Sequence, residues 1–102
     1  MAFKSVAREM VTINGNRSKY EEALKKGHSY AWEGKWEEAI AEYKKALAEF
    51  PDEAVVHSSL GLAYAQLGKW REALEAYKKA SILDPYDPLI KEKLASIQAQ
   101  LG

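Results

Sequence analysis

The chain repeats itself after 34 residues, and that period constrains its fold more than any single residue does. Residues 20–53 laid without gaps over residues 54–87 are identical at thirteen of 34 positions, among them Gly27/Gly61, Tyr30/Tyr64, Gly34/Gly68, Trp36/Trp70, Ala39/Ala73, Tyr43/Tyr77, Ala46/Ala80 and Pro51/Pro85. The same shift carries Ala65-Gln66-Leu67-Gly68 onto the last four residues, Ala99-Gln100-Leu101-Gly102, so a third unit begins at residue 88 and stops half-way. Units of this length stack into a solenoid because one alone cannot bury its apolar face.

Each unit reads as two helices. Leu60, Gly61, Tyr64 and Leu67 recur at three- and four-residue spacing. Gly68-Lys69 interrupts them, and Trp70, Ala73, Leu74, Tyr77 and Ala80 mark a second such face that ends at Asp84-Pro85. The short connection predicts an antiparallel hairpin. Helices are expected near 18–33, 36–49, 53–67, 70–83 and 88–101. Ser18 with Glu21 reads as a capping box for the first, Asp52 as the cap of the third, and Asp87-Pro88 as cap and first-turn proline of the fifth. A glycine inside a helix costs ~1 kcal/mol against alanine, so Gly27 and Gly61 are expected where a neighbouring helix approaches the backbone. Ala39, Ala46, Ala73 and Ala80 leave room for the aromatic knobs Tyr30, Tyr43, Tyr64 and Tyr77.

Residues 1–17 stand outside the register. Phe3, Val6, Ala7, Met10 and Val11 form an apolar stripe at helical spacing, and Asn14-Gly15-Asn16 reads as a turn. A short amphipathic helix must bury such a stripe on something. It packs on the first repeat as a cap, or lies in the groove of its own or another copy; a third reading leaves it unfolded.

The rest of the composition narrows the function. Fifteen basic and fifteen acidic side chains cancel, so no net field draws the chain to nucleic acid or to anionic lipid. Without cysteine there is no disulfide or thiolate chemistry, which fits a reducing, cytoplasmic setting. No segment has the length and apolarity of a membrane span. His28 and His57 lie on different helices with no carboxylate or second histidine at ligand spacing, so neither a metal site nor a cofactor is expected. Nucleophile elbow and phosphate loop are both missing, so the reading is not an enzyme. Lys44-Lys45 and Lys78-Lys79 recur with the repeat and read as solvent-exposed decoration.

In the second unit, Leu60-Gly61, Tyr64, Gly68, Trp70, Ala73, Tyr77, Ala80 and Pro85 resemble the tetratricopeptide repeat family. Gly27, Tyr30, Gly34, Trp36, Ala39, Tyr43, Ala46 and Pro51 do so in the first. The resemblance covers about eighty of the 102 residues. It implies an all-α fold, a right-handed superhelical stack of antiparallel helix hairpins, over residues 18–102, with repeats 20–53 and 54–87 and a half-repeat or capping helix at 88–102. Lys26 departs from the pattern, standing where the other units have Leu60 and Leu94, and suggests a looser or wetter first repeat.

In that family the first helix of each pair lines the concave wall. The slots fall here on Glu21, Leu24, His28, Ala31 and Trp32, then on Val55, Ser58, Ser59, Leu62 and Gln66, then on Leu89, Glu92, Lys93 and Ser96. The candidate partner-binding residues are Leu24, His28, Trp32, Val55, Ser59, Leu62, Gln66, Leu89 and Lys93. Trp32 breaks the repeat, since its counterpart is Gln66, and a non-repeating tryptophan suits an anchor for an apolar side chain. The competing reading has it cover the first hairpin or pack against residues 1–13. Some family members clamp the terminal carboxylates of chaperone tails with lysines, asparagines and an arginine. Those slots hold Leu24, His28, Ser59, Leu89 and Lys93, so the resemblance does not extend to chaperone-tail binding. The expected function is a protein–protein interaction module presenting a mostly apolar groove to a peptide or helix.

Two other functions compete with it: an oligomerisation or assembly segment of a larger repeat protein, and a small-ligand domain using His28 and Trp32. The in-register stop at Gly102 favours truncation, whereas Gln98 for Tyr64 and Ser96 for Leu62 favour a solvating cap. Burying a large apolar side chain is worth ~1.5–3 kcal/mol, so the N-terminal stripe and the groove together predict a homo-oligomer at high concentration.

Overall fold

The computed structural model describes residues 15–102; the helix expected over residues 1–13 and its three readings lie outside the described residues. Among the described residues five helices follow one another: α1 (Arg17–Trp32), α2 (Trp36–Glu49), α3 (Ala54–Gln66), α4 (Trp70–Leu83) and α5 (Pro88–Leu101). Among the described residues there is no strand, and no helix is long and apolar enough to cross a membrane. The expected boundaries hold to within one residue.

The turn inside each hairpin is built the same way twice. Lys35 N donates to Tyr30 O at 2.8 Å and Gly34 N to Ala31 O at 3.0 Å. Lys69 and Gly68 repeat this on Tyr64 and Ala65 at 2.9 and 3.0 Å. This is the Schellman arrangement, which needs a left-handed residue after the helix end. Gly34 and Gly68 supply it, with φ of 76° and 73°.

Two of the expected caps are elsewhere. Asn16, not Ser18, caps α1: its side chain accepts from Lys19 N at 3.0 Å, while its own N–H donates to Glu49 Oε1 at 2.9 Å. Asn16 takes the role because it holds the extended backbone of a cap, whereas Ser18 is already inside the helix. Asp52 makes no cap either; Glu53 holds that position for α3 without a side-chain bond, and the loop is held instead by His57 Nε2 on Pro51 O at 2.8 Å. Asp87 caps α5 as expected, accepting from Leu89 N at 2.9 Å ahead of Pro88.

The interior is made of small residues with aromatic rings between them. Ala39, Ala46, Ala73 and Ala80 are wholly buried, and Tyr43 and Tyr77 nearly so. The glycines do not admit a helix backbone. They admit a ring: a Cβ at Gly27 would sit 2.6 Å from Tyr43 Cε1, and one at Gly61 2.7 Å from Tyr77 Cδ2. Each tyrosine therefore crosses from the second helix of its hairpin beneath the first.

Hairpins stack by the outer face of α3 and α5. Val56, Leu60 and Ala63 are buried in one core with Ala39, Ile40, Tyr43 and Ala46, and Leu67 packs against it. Ile90 and Ile97 are buried in the same register, and Leu94 is half-buried. The counterparts on α1 are Glu22, Lys26, Ser29 and Glu33, all exposed. Lys26 does not loosen the hairpin. It faces solvent and pairs with Glu22 at 3.2 Å, a hydrogen-bonded contact that raises its ammonium pKa. A solvent-exposed i,i+4 pair of this kind contributes little to stability. The repeated lysines are exposed as expected: Lys45 pairs with Glu42, Lys78 with Glu75, and Lys44 lies 5.8 Å from the centre of the Tyr64 ring.

Candidate functional site

Leu24, His28 and Trp32 are spaced four apart, so helical periodicity puts them in one row on α1. They line an open trough of about 610 Å³ with Glu21, Lys25, Ser29 and Glu33. Trp32 is 92% exposed. It does not cover the first hairpin.

The trough is joined to α3 through its floor. His28 Nδ1 lies 2.9 Å from the Tyr43 phenol oxygen, with the rings edge to face at 5.4 Å. The Ser59 side chain of α3 lies beside the same phenol. Burial pushes the Tyr43 pKa up, and the Ser59 side chain partly offsets this. One tyrosine thus ties three helices together, and its ring lies against α1 only because Gly27 carries no side chain.

A second cavity of about 300 Å³ lies one repeat further on, between α3, α4 and α5. Leu62, Gln66, Tyr77, Lys93, Ser96 and Gln100 line it, with Trp70 and Ile97 at its apolar wall. Burial alone raises the Tyr77 pKa. The counterparts of His28 and Ser59 here are Leu62 and Lys93, so no imidazole lines this cavity and its one aliphatic hydroxyl is that of Ser96.

The nine candidate residues therefore fall into groups. Leu24, His28 and Trp32 share the trough; Leu62, Gln66 and Lys93 share the second cavity; Ser59 joins His28 through Tyr43. Val55 and Leu89 line neither cavity and stand exposed at the N-terminal ends of α3 and α5. Tyr43 and Tyr77 were legible only as core knobs. Their pairing with a glycine sixteen residues earlier is the signal that their rings lie against the first helix of the hairpin. Among the described residues no three histidine, aspartate or glutamate side chains converge as metal ligands.

Two family models match the sequence: one described as TPR repeat over residues 27–68, the other as tetratricopeptide repeat over residues 54–87. No curated protein matches it significantly. Among solved structures, the TPR2B domain of yeast Sti1 in its pHsp70 complex is similar, with a TM-score of 0.77 and 27% identity over 82% of this chain and 67% of that one. The TPR2AB domain of yeast Sti1 in its pHSP90 complex has a TM-score of 0.81 and 26% identity over 98% of this chain, which spans only 39% of that one. A T3SS complex from Aeromonas hydrophila shares the fold, at a TM-score of 0.79 and 23% identity over 94% of this chain and 70% of that one.

Proposed function

Because the chain belongs to the tetratricopeptide repeat family, we propose that it is a non-enzymatic interaction module whose concave face holds a segment of a partner protein, with Trp32 and Leu24 as the apolar anchor. The observation that carries this reading is Trp32. An indole that is 92% exposed, on the same helix row as Leu24 and His28, has no part in holding the hairpin together. Its repeat counterpart is Gln66, so the scaffold does not require it. Tryptophans are over-represented among residues that dominate binding energy, where truncation costs ≥ ~2 kcal/mol.

The likeness to the Sti1 domains, which are in complex with pHsp70 and pHSP90, favours a second reading: binding of such chaperone peptides. The residue content of the slots argues against it, since Leu24, His28, Ser59 and Leu89 offer no fixed positive charge and Lys93 alone does. One experiment separates the two. Peptides are selected from a displayed random library on the wild-type protein, and their affinities are measured beside those of the Hsp70 and Hsp90 peptides. Apolar peptides that lose roughly thirty-fold in affinity on Trp32→Ala, with no binding of the chaperone peptides, support the first reading. Tight binding of the chaperone peptides supports the second. Failure to select any peptide sensitive to Trp32→Ala or Leu62→Glu refutes the groove, and sedimentation of the wild type then tests self-assembly.

A further inference from the structure

All the described residues that line the Trp32 trough belong to α1, so among the described residues the trough has one wall. The other open side of α1 differs in kind. Glu22 and Lys26 form an ion pair there, and the hollow of about 300 Å³ between α1 and α2 is lined by six charged side chains and two alanines. Apolar surface is therefore offered to an incoming helix on one side of α1 only, by Leu24 and the exposed Trp32.

The sequence ahead of α1 matches that side. Phe3, Val6, Ala7, Met10 and Val11 make its apolar stripe. Phe3 to Val11 and Leu24 to Trp32 each cover eight residue steps, about 12 Å of helix rise. The point of departure is fixed. Gly15 has a left-handed φ of 96°, no Cβ would fit between it and the Glu49 carbonyl, and Asn16 N donates to Glu49 Oε1 at 2.9 Å. A connection as short as residues 14–16 suits antiparallel helices. In that alignment Val11 comes level with Leu24, and Phe3 with Trp32.

We infer that residues 1–13 lie antiparallel on α1 of their own chain, where the Phe3–Val11 stripe supplies the second wall of the Trp32 trough and a partner must displace it. The tether selects the chain's own segment, because a short linker gives an effective concentration in the ~mM range. On the opposite side of α1 the same stripe would strip water from the Glu22–Lys26 pair with no apolar surface gained in return. Ordering a short helix offsets most of what burying its stripe gains, so the trough is closed only part of the time. The docking stands apart from the groove reading; the competition with a partner rests on it.

The chain has no cysteine, so a nitroxide on Ser5→Cys marks the full-length protein at one place, on the polar side of the stripe. In nitrogen-15-enriched protein the label should broaden the indole N–H resonance of Trp32, assigned with Trp32→Phe, and leave that of Trp70 sharp. Val6→Glu/Met10→Glu breaks the stripe and should sharpen Trp32 again. The same variant should bind a peptide selected on the groove about threefold more tightly, as expected for a site closed about two-thirds of the time. A sharp Trp32 indole in the labelled chain, or broadening centred on the Glu22 and Lys26 amides, overturns the docking whatever the groove binds. Broadening in a mixture of labelled, unenriched chain with unlabelled, enriched chain overturns it in favour of a second copy. Docking without a gain in peptide affinity for the broken stripe overturns the competition. Docking in a protein for which no peptide can be selected strikes the groove reading and leaves the docking standing.

Discussion

Gly61→Ala tests whether the tyrosine ring, and not a helix backbone, is what the mid-helix glycine accommodates. Two effects oppose each other. Alanine is a better helix former than glycine by ~0.8–1 kcal/mol, which favours the variant. Against this, the new methyl carbon would lie 2.7, 2.8 and 3.1 Å from three atoms of the Tyr77 ring. That ring is 2% exposed and walled by Ala73 and Ile97, so it has little room to turn aside. Overpacking a tight core costs ~1–3 kcal/mol, and three simultaneous overlaps place this site in the upper half of that range. The net expectation is a loss of about 1–2 kcal/mol, read as a lower urea midpoint with unchanged slope. In a Tyr77→Leu background the overlap disappears, and the same substitution should be neutral or stabilising, giving a coupling of about 2 kcal/mol in the double-mutant cycle. A single Gly61→Ala variant that is more stable than wild type would refute the ring-passage argument, because propensity alone would then describe the site.

Trp32→Ala should move the unfolding midpoint by less than ~0.5 kcal/mol, since an indole that is 92% exposed contributes little to the fold; a larger loss in urea titration would show that Trp32 is scaffold. Asp87→Ala should cost about 1 kcal/mol while Asp52→Ala changes almost nothing, because only Asp87 bonds a helix N–H; thermal melts of the pair decide it. Burial holds the phenols of Tyr43 and Tyr77 above their ordinary pKa of 10.0. The unfolded chain therefore loses these protons first, so their contribution is complete below pH 10 and declines as pH rises through the higher folded values. The urea midpoint should fall on the alkaline side, and Tyr77→Phe should fall less than wild type; equal declines would count against burial as the cause.

The period of 34 residues, with its glycines and prolines in register, determines the helices of residues 15–102, the hairpins and the family, because those features are local and recur. Asp87-Pro88 was legible for the same reason: cap and first-turn residue sit next to each other. The Asn16 cap was not, since its geometry depends on where the chain meets Glu49, 33 residues away. The row of Leu24, His28 and Trp32 followed from helical spacing alone, whereas the exposure of Trp32 required knowing that no described element covers it. Lys26 read as a flaw in packing until the stack showed that α1 turns this face, with Glu22, Ser29 and Glu33, to solvent. The clearest division is at the two tyrosines. Their identity and period mark them as core in the sequence. Only tertiary packing shows that their rings pass beneath Gly27 and Gly61, that the Tyr43 phenol meets His28, and that Tyr77 lines a cavity between α3, α4 and α5. Periodicity specifies which face of a helix is buried; which polar atoms meet at the end of a side chain depends on three helices converging, and no local pattern encodes that.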